Sequence, residues 1–170
     1  MRLFDKWIWA GETGAPGMTI LSGQTIRRLA IVEPMRERYV DENGNSCGLS
    51  TCGYDITVDT QIDLMPSRFV LSCTCERFVM PTNVVGIVHD KSSLARSGLA
   101  VQNTVLEPGW RGHLTLELSN HSAYRIRLPV ASAIAQVVFH FLDEPAEKPY
   151  TGKYQDQERM PIPARREIYE

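Results

Sequence analysis

Several features are missing from this 170-residue chain, and each absence removes a class of function. No apolar run approaches the roughly 20 residues that cross a bilayer, so no membrane span is expected. Neither charge dominates: 18 Lys and Arg against 20 Asp and Glu leave a net −2, which gives no electrostatic footing for nucleic acid or a membrane surface. The opening segment, MRLFDKWIWAGETGAPGM, holds no apolar core of signal-peptide length and is interrupted by charges. A cytoplasmic protein is therefore expected. Cysteine is scarce, and Cys47, Cys52, Cys73 and Cys75 are spaced C-x4-C and C-x-C rather than as paired C-x2-C knuckles. Free thiols are the default for such spacing in a reducing compartment, and no zinc is expected. No internal repeat is visible.

What is present suits one domain. Apolar residues make up 43% and charged residues 22% of the chain, ordinary values for a folded protein with a single core. Residues 1–17 read as an N-terminal extension closed by Pro16-Gly17; with Trp7 and Trp9 it either packs on a neighbour or is loosely ordered. A short helix follows, with Ser22 as N-cap and Ile26, Leu29 and Ala30 facing inward. Residues 33–50 are charged and rich in Gly and Asn, and read as loop. From Tyr54 onward the periodicity is that of strands: Tyr54–Val58, Phe69–Cys73, Val84–Val88, Leu114–Leu118, Tyr124–Leu128 and Ile134–Phe141. Pro66, Pro81, Pro108 and Pro129 punctuate them, as proline does at strand ends. The expected fold class is all-β, a distorted jelly-roll or β-barrel with one or two short helices, spanning 18–142. Residues 143–170 lack periodicity and read as a C-terminal arm.

Three segments of the β region and one of the arm carry chemistry. In Leu114-Thr-Leu-Glu-Leu118 a period of two sends the leucines to one face and Glu117 to the other; a carboxylate inside a strand is either solvated or put to use. In Lys91-Ser-Ser-Leu-Ala-Arg96-Ser-Gly98, Asp90 or Ser92 can cap a single helical turn and Gly98 can end it. That turn is an ordinary surface feature, or it offers hydroxyls, cations and free N–H groups to phosphate. In Thr104-Val-Leu-Glu-Pro-Gly-Trp110 a tight turn presents Trp110 beside a carboxylate, which suits a core aromatic or a sugar contact. On the arm, Tyr150 to Gln157 places aromatic, cationic and amide groups around Gly152, which suits an unstructured tail or a lid over a polyanion.

These segments occur together, in one order, with others: Met18-Thr-Ile-Leu-Ser-Gly23, Ser50-Thr-Cys-Gly-Tyr-Asp55, Ala135-Gln-Val-Val-Phe139 and Gly152-Lys-Tyr-Gln155. In that order, from about Met18 to Arg165, the chain resembles the dCTP deaminases, a zinc-independent branch of the trimeric dUTPase superfamily. The resemblance implies a homotrimer with pockets between subunits, hydrolysis of dCTP to dUTP and ammonia within deoxynucleotide supply, and Mg2+ carried by the nucleotide triphosphate. It implies Glu117 as the catalytic acid–base, with Ser92 and Arg96 beside it, and Lys91, Ser93, Leu94 and Ala95 in the phosphate-contacting turn. Thr104 and Val105 would read the 4-amino edge through backbone groups, Glu107 and Trp110 would hold the sugar, and Thr115 and Leu116 would bind the substrate. Gln136 falls at a nucleotide-binding position, and Tyr150, Lys153 and Gln157 fall on the closing arm. It also implies dTTP as a feedback inhibitor. Zinc deaminases instead carry H-x-E and P-C-x-x-C, and this sequence has neither.

Two departures from the family pattern stand out. Glu107 occupies a position that is often Asp, one methylene shorter. Members that also hydrolyse dUTP tend to have T-A-G-F where this chain has Thr104-Val-Leu-Glu107, which favours the deaminase-only form over the bifunctional one. The competing readings are a plain dUTPase, and a nucleotide-sensing regulatory trimer without turnover. The mid-strand Glu117 and the absence of a Gly-rich RGxxGFGS-like ending speak against the dUTPase. The intact set of Glu117, Ser92 and Arg96 speaks against the idle sensor.

Overall fold

The computed structural model describes residues 19–102 and 104–166. The expected extension 1–17 lies outside them. In chain order the elements are α1 (Gly23–Leu29), β1 (Val32–Glu33), β2 (Tyr39–Val40), β3 (Ser46–Leu49), β4 (Tyr54–Thr57), β5 (Ile62–Leu64), β6 (Phe69–Val79), β7 (Val84–Asp90), α2 (Ser92–Ala95), β8 (Leu99–Val101), β9 (Val105–Leu106), β10 (Arg111–Asn120), β11 (Ile126–Leu128) and β12 (Ala133–Phe141). The all-β expectation holds, with two short helices.

The strands form a four-stranded sheet, β1-β6-β10-β8, a six-stranded sheet, β2-β3-β4-β12-β7-β9, and the small pair β11-β5. The two larger sheets share one core. Phe78 of β6 lies 6.5 Å, ring centroid to centroid, from Phe139 of β12 and 6.3 Å from Trp110. Alternation writes this core directly: Ala135, Val137 and Phe139 are buried in β12, and Leu116 and Leu118 in β10. Each leucine so buried contributes about 1.5–3 kcal/mol.

Strand β6 touches both larger sheets, and a bulge lets it do so. Its register with β10 runs from His113↔Arg77 to Thr115↔Cys73, so extra residues of β6 are extruded between these pairs. Thr74 bridges to Val58, next to β4. Its hydroxyl accepts the Leu114 N–H at 2.9 Å and donates to the Glu76 carbonyl at 2.7 Å, replacing ladder bonds that the bulge removes. The Glu76 side chain, only 5% exposed, receives the Thr57 N–H at 2.9 Å and the Thr57 hydroxyl at 2.8 Å.

Four local expectations are corrected. Ala30 does not face inward: it is exposed and adopts the left-handed conformation that ends α1. Ser22 sits at the N-cap position but makes no side-chain capping bond; its hydroxyl donates to Thr25 instead. Residues 33–50 are not simply loop. They hold β2 and β3, joined by a turn in which the Asp41 carboxylate accepts the Asn43 and Asn45 N–H groups at 2.9 and 2.8 Å. Tyr124 lies before β11 and is 80% exposed.

Burial pushes the Glu76 carboxyl above its ordinary range, against the pull of the Thr57 donors. A group raised on folding contributes stability that is fully present below its unfolded value, about pH 4.3, and is lost as pH rises through the folded value. Glu76→Gln keeps an acceptor for the Thr57 N–H without titrating. The wild-type stability minus that of the variant, from urea unfolding, is expected to fall as pH rises above about 4.3. A difference that stays flat or rises contradicts this account.

Candidate active site

Glu107-Pro108-Gly109-Trp110 is a β-turn closed by the Trp110 N–H on the Glu107 carbonyl at 3.0 Å. Proline at the second position and Gly109 at φ 85° in the third are what a type II turn requires. A Cβ on Gly109 would also come within 2.6 Å of Pro149. The turn sends Trp110 inward, 4% exposed against Phe78, and starts β10. On β10 the outer face then presents Thr115 and Glu117.

One edge of β10 is only partly covered. Strand β8 pairs with Leu118, Ser119 and Asn120 alone. The earlier part of that edge is completed by the arm, which runs parallel to it: Asp156 N–H donates to the Arg111 carbonyl at 2.9 Å, and His113 N–H to the Gln157 carbonyl at 3.0 Å. Side chains reinforce the seam. The Trp110 indole N–H donates to the Tyr154 carbonyl at 2.7 Å, the Arg111 N–H to the Gln155 side chain at 2.9 Å, and Arg111 pairs with Asp156. Gly112 permits the close approach, since a Cβ there would meet the Gln157 backbone nitrogen at 2.7 Å.

Between the outer face of β10 and the arm lies a cavity of about 540 Å³, within the usual range for small-molecule sites. Glu117 lines it, half-buried. Burial holds the Glu117 carboxyl above the ordinary glutamate range, and a bond from its own backbone N–H offsets this only in part. Thr104, Val105, Glu107, Trp110 and Thr115 line the same cavity, as do Tyr150 and Gln157 from the arm. Thr115 Oγ1 accepts two bonds, from Gln157 Nε2 at 2.5 Å and from the Ile162 N–H at 2.9 Å. The Thr104 carbonyl accepts the Val88 N–H at 3.0 Å.

Other residues singled out from the sequence lie elsewhere. Leu116 points into the core. Ser92, Ser93, Ala95 and Arg96 are exposed or half-exposed on and just after α2, and Leu94 packs partly against the core; none of these lines the cavity. Neither Asp90 nor Ser92 is the N-cap of α2: Lys91 holds that position, and the Asp90 carboxylate accepts the Val101 N–H at 2.8 Å. Lys91 instead belongs to a polar cluster. Its ammonium lies 3.1 Å from Asp55 and 2.9 Å from the Ser46 hydroxyl, and Gln136 Nε2 donates to Ser50 at 3.1 Å and to Asp55 at 3.3 Å. Lys153 lies over the Tyr154 ring at 5.5 Å.

The cavity also has walls that the sequence did not announce. Phe69 and Leu71 line it from β6, where Leu71 is the cross-strand partner of Glu117. Tyr154, Ile162, Pro163 and Ala164 line it from the arm. Tyr154 belongs to the Gly-Lys-Tyr-Gln motif and could have been read there. All four cysteines are free; Cys47 and Cys73 are buried, and burial pushes the Cys73 thiol up to about 12. No group of His, Cys, Asp and Glu suited to hold a metal occurs among the described residues, and no helix among them is long and apolar enough to cross a membrane.

The fold is that of the dUTPases. The structure matches native EIAV dUTPase with a TM-score of 0.53 at 20% identity, covering 72% of this chain and 97% of that one. It matches a point mutant of the dUTPase from phage phi11 of S. aureus equally, with a TM-score of 0.53 at 17% identity, over 72% of this chain and 97% of that one. Within this class the sequence is more specific. Residues 54–142 match the model of the dCTP deaminase-like family. The chain is 36% identical to the dCTP deaminase of Azotobacter vinelandii over 86% of its own length and 99% of that protein's. It is 34% identical to those of Campylobacter fetus and Chloroflexus aurantiacus, each over 86% of this chain and 98% of theirs. The chain belongs to the dCTP deaminase family and is an enzyme acting on dCTP.

The electrostatics of Glu117 give a direct test. With glutamate carboxyls labelled with carbon-13 and Glu117 assigned through Glu117→Gln, its resonance is expected to titrate above the ordinary value of about 4.3. A midpoint at or below that value removes the basis for Glu117 as a proton carrier near neutral pH.

Proposed function

We propose that the chain converts dCTP and water to dUTP and ammonia by acid–base catalysis at Glu117, without zinc, in a homotrimer whose sites are shared between protomers. The observation that carries this reading is the Glu117 carboxyl, half-buried on the wall of a nucleotide-sized cavity and raised toward the working range of a proton carrier. Glu117 takes a proton from water as the oxygen bonds to C4, and delivers it to the ring N3. It then moves the hydroxyl proton to the 4-amino nitrogen, so that the C4–N4 bond breaks and ammonia leaves as the carbonyl forms. Positioned acid–base catalysis of this kind contributes about 10²–10⁴-fold. Mg2+ enters on the triphosphate, as part of the substrate.

Sharing between protomers accounts for the two separated groups of residues. Ser92, Ser93 and Arg96 are exposed and line no part of the cavity, while Lys91 and Gln136 sit together at Asp55. A neighbouring subunit that presents this face to the cavity mouth would bring hydroxyls and cations to the triphosphate and to the tetrahedral centre. Phe69 and Val105, more than half exposed where they line the cavity, are the apolar area that association would cover. Thr104-Val-Leu-Glu107 supports the deaminase-only form.

Incubation with dCTP and Mg2+ is expected to release ammonia and accumulate dUTP. Accumulation of dUMP would assign the bifunctional form, and cleavage of dUTP with dCTP untouched would assign a dUTPase. Glu117→Gln is expected to keep dCTP affinity within about threefold while losing at least about 10²-fold in kcat; undiminished turnover would remove Glu117 from its role. Shared sites make a separate prediction. Glu117→Gln and Arg96→Ala proteins, each inactive alone, are expected to regain activity when unfolded together and refolded as mixed trimers. No recovery in verified mixed trimers would mean that each site is built within one chain.

A further inference from the structure

We infer that Thr115 is a positioning residue whose hydroxyl oxygen seats the roof of the cavity. The Thr115 hydroxyl accepts from Gln157 Nε2 at 2.5 Å and from the Ile162 N–H at 2.9 Å. A threonine oxygen has two lone pairs, so both are used by the arm. Pro161 and Pro163 flank Ile162 and have no N–H, which leaves Ile162 the sole backbone donor of the three, and Thr115 takes it. The flanking prolines also stiffen the segment, so fixing one N–H fixes the neighbouring residues. Ile162, Pro163 and Ala164 are the part of the arm that closes the cavity beyond the Gly112–Gln157 bridge. Thr115 stands two residues before Glu117 on the same face of β10. The group that seats the roof and the group beneath it thus share one rigid strand.

Two hydrogen bonds of ordinary strength correspond to about a tenfold change in how often the roof opens. Thr115→Val keeps the shape and removes the acceptor; Thr115→Ser keeps the acceptor. Ile162→Pro removes the donor from the opposite side and leaves β10 untouched. The inference rests on Glu117 acting beneath the roof, but its first readout does not. Amide hydrogen exchange across 158–166 in the full-length protein is expected to speed up by about tenfold in Thr115→Val. It is expected to stay near the wild-type rate in Thr115→Ser, with exchange in β6 and β12 unchanged in both. The second readout is turnover of dCTP: kcat is expected to fall by about fivefold or more in Thr115→Val and Ile162→Pro and to be restored by serine.

Unchanged exchange in Thr115→Val and Ile162→Pro overturns the inference whatever Glu117 does. Faster exchange with kcat and KM both at wild-type values overturns it too, because the roof would then be seated to no purpose. A rise in KM alone in Thr115→Val, not reproduced by Ile162→Pro, would instead assign the hydroxyl to the substrate. If Glu117→Gln proves fully active while exchange responds as expected, the reading of Glu117 fails and the seat for the roof stands.

Discussion

The candidate site depends on a mismatch in strand length. β10 runs for ten residues, but β8 pairs with only its last three. The uncovered edge begins just after the Trp110 turn and leads toward Glu117. An open edge of a sheet exposes unpaired N–H and C=O groups, and something must satisfy them. Here the chain supplies the partner from its own C-terminal arm, through the Asp156 and Gln157 backbone. That pairing leaves a space walled on one side by β10 and β6 and on the other by the arm. Without it, Glu117 would sit on a more open sheet face.

Strands with one buried face could be read from the sequence, because burial on one side imposes alternation. Leu114 to Leu118 and Ile134 to Phe141 announce themselves in this way, and Glu117 stands out because a carboxylate interrupts such a strand. Signals that depend on what lies across the sheet could not be read. The extruded residues of β6 at Thr74 to Glu76 are defined by their register with β10. β3 opens with Ser46, Cys47 and Gly48, whose small side chains carry no apolar period, and only Leu49 at its end is a large apolar residue. The roof residues Ile162 to Ala164 belong to a tail without periodicity. The turn at Glu107 to Trp110 was readable throughout, since Pro and Gly at its two central positions dictate its geometry.

The polar residues divide into two groups with different surroundings. Glu117 is half-buried on a cavity wall, where loss of hydration favours its neutral form. Asp55 and Lys91 are more deeply buried but paired, with Ser46 and Gln136 completing the network. A buried charge pair contributes little net stability against its loss of hydration, yet losing one partner strands the other at a high cost. The same chain thus keeps a proton carrier in one place and a fixed array of charge and amide groups in another. Asp55 is the hub of that second array.

The arm is held on β10 by bonds made entirely within the chain. A flap that folds only around its guest loses conformational freedom at the moment of capture, and the affinity is weakened accordingly. In this protein that loss belongs to folding. A guest that reaches the cavity therefore meets a wall already in place.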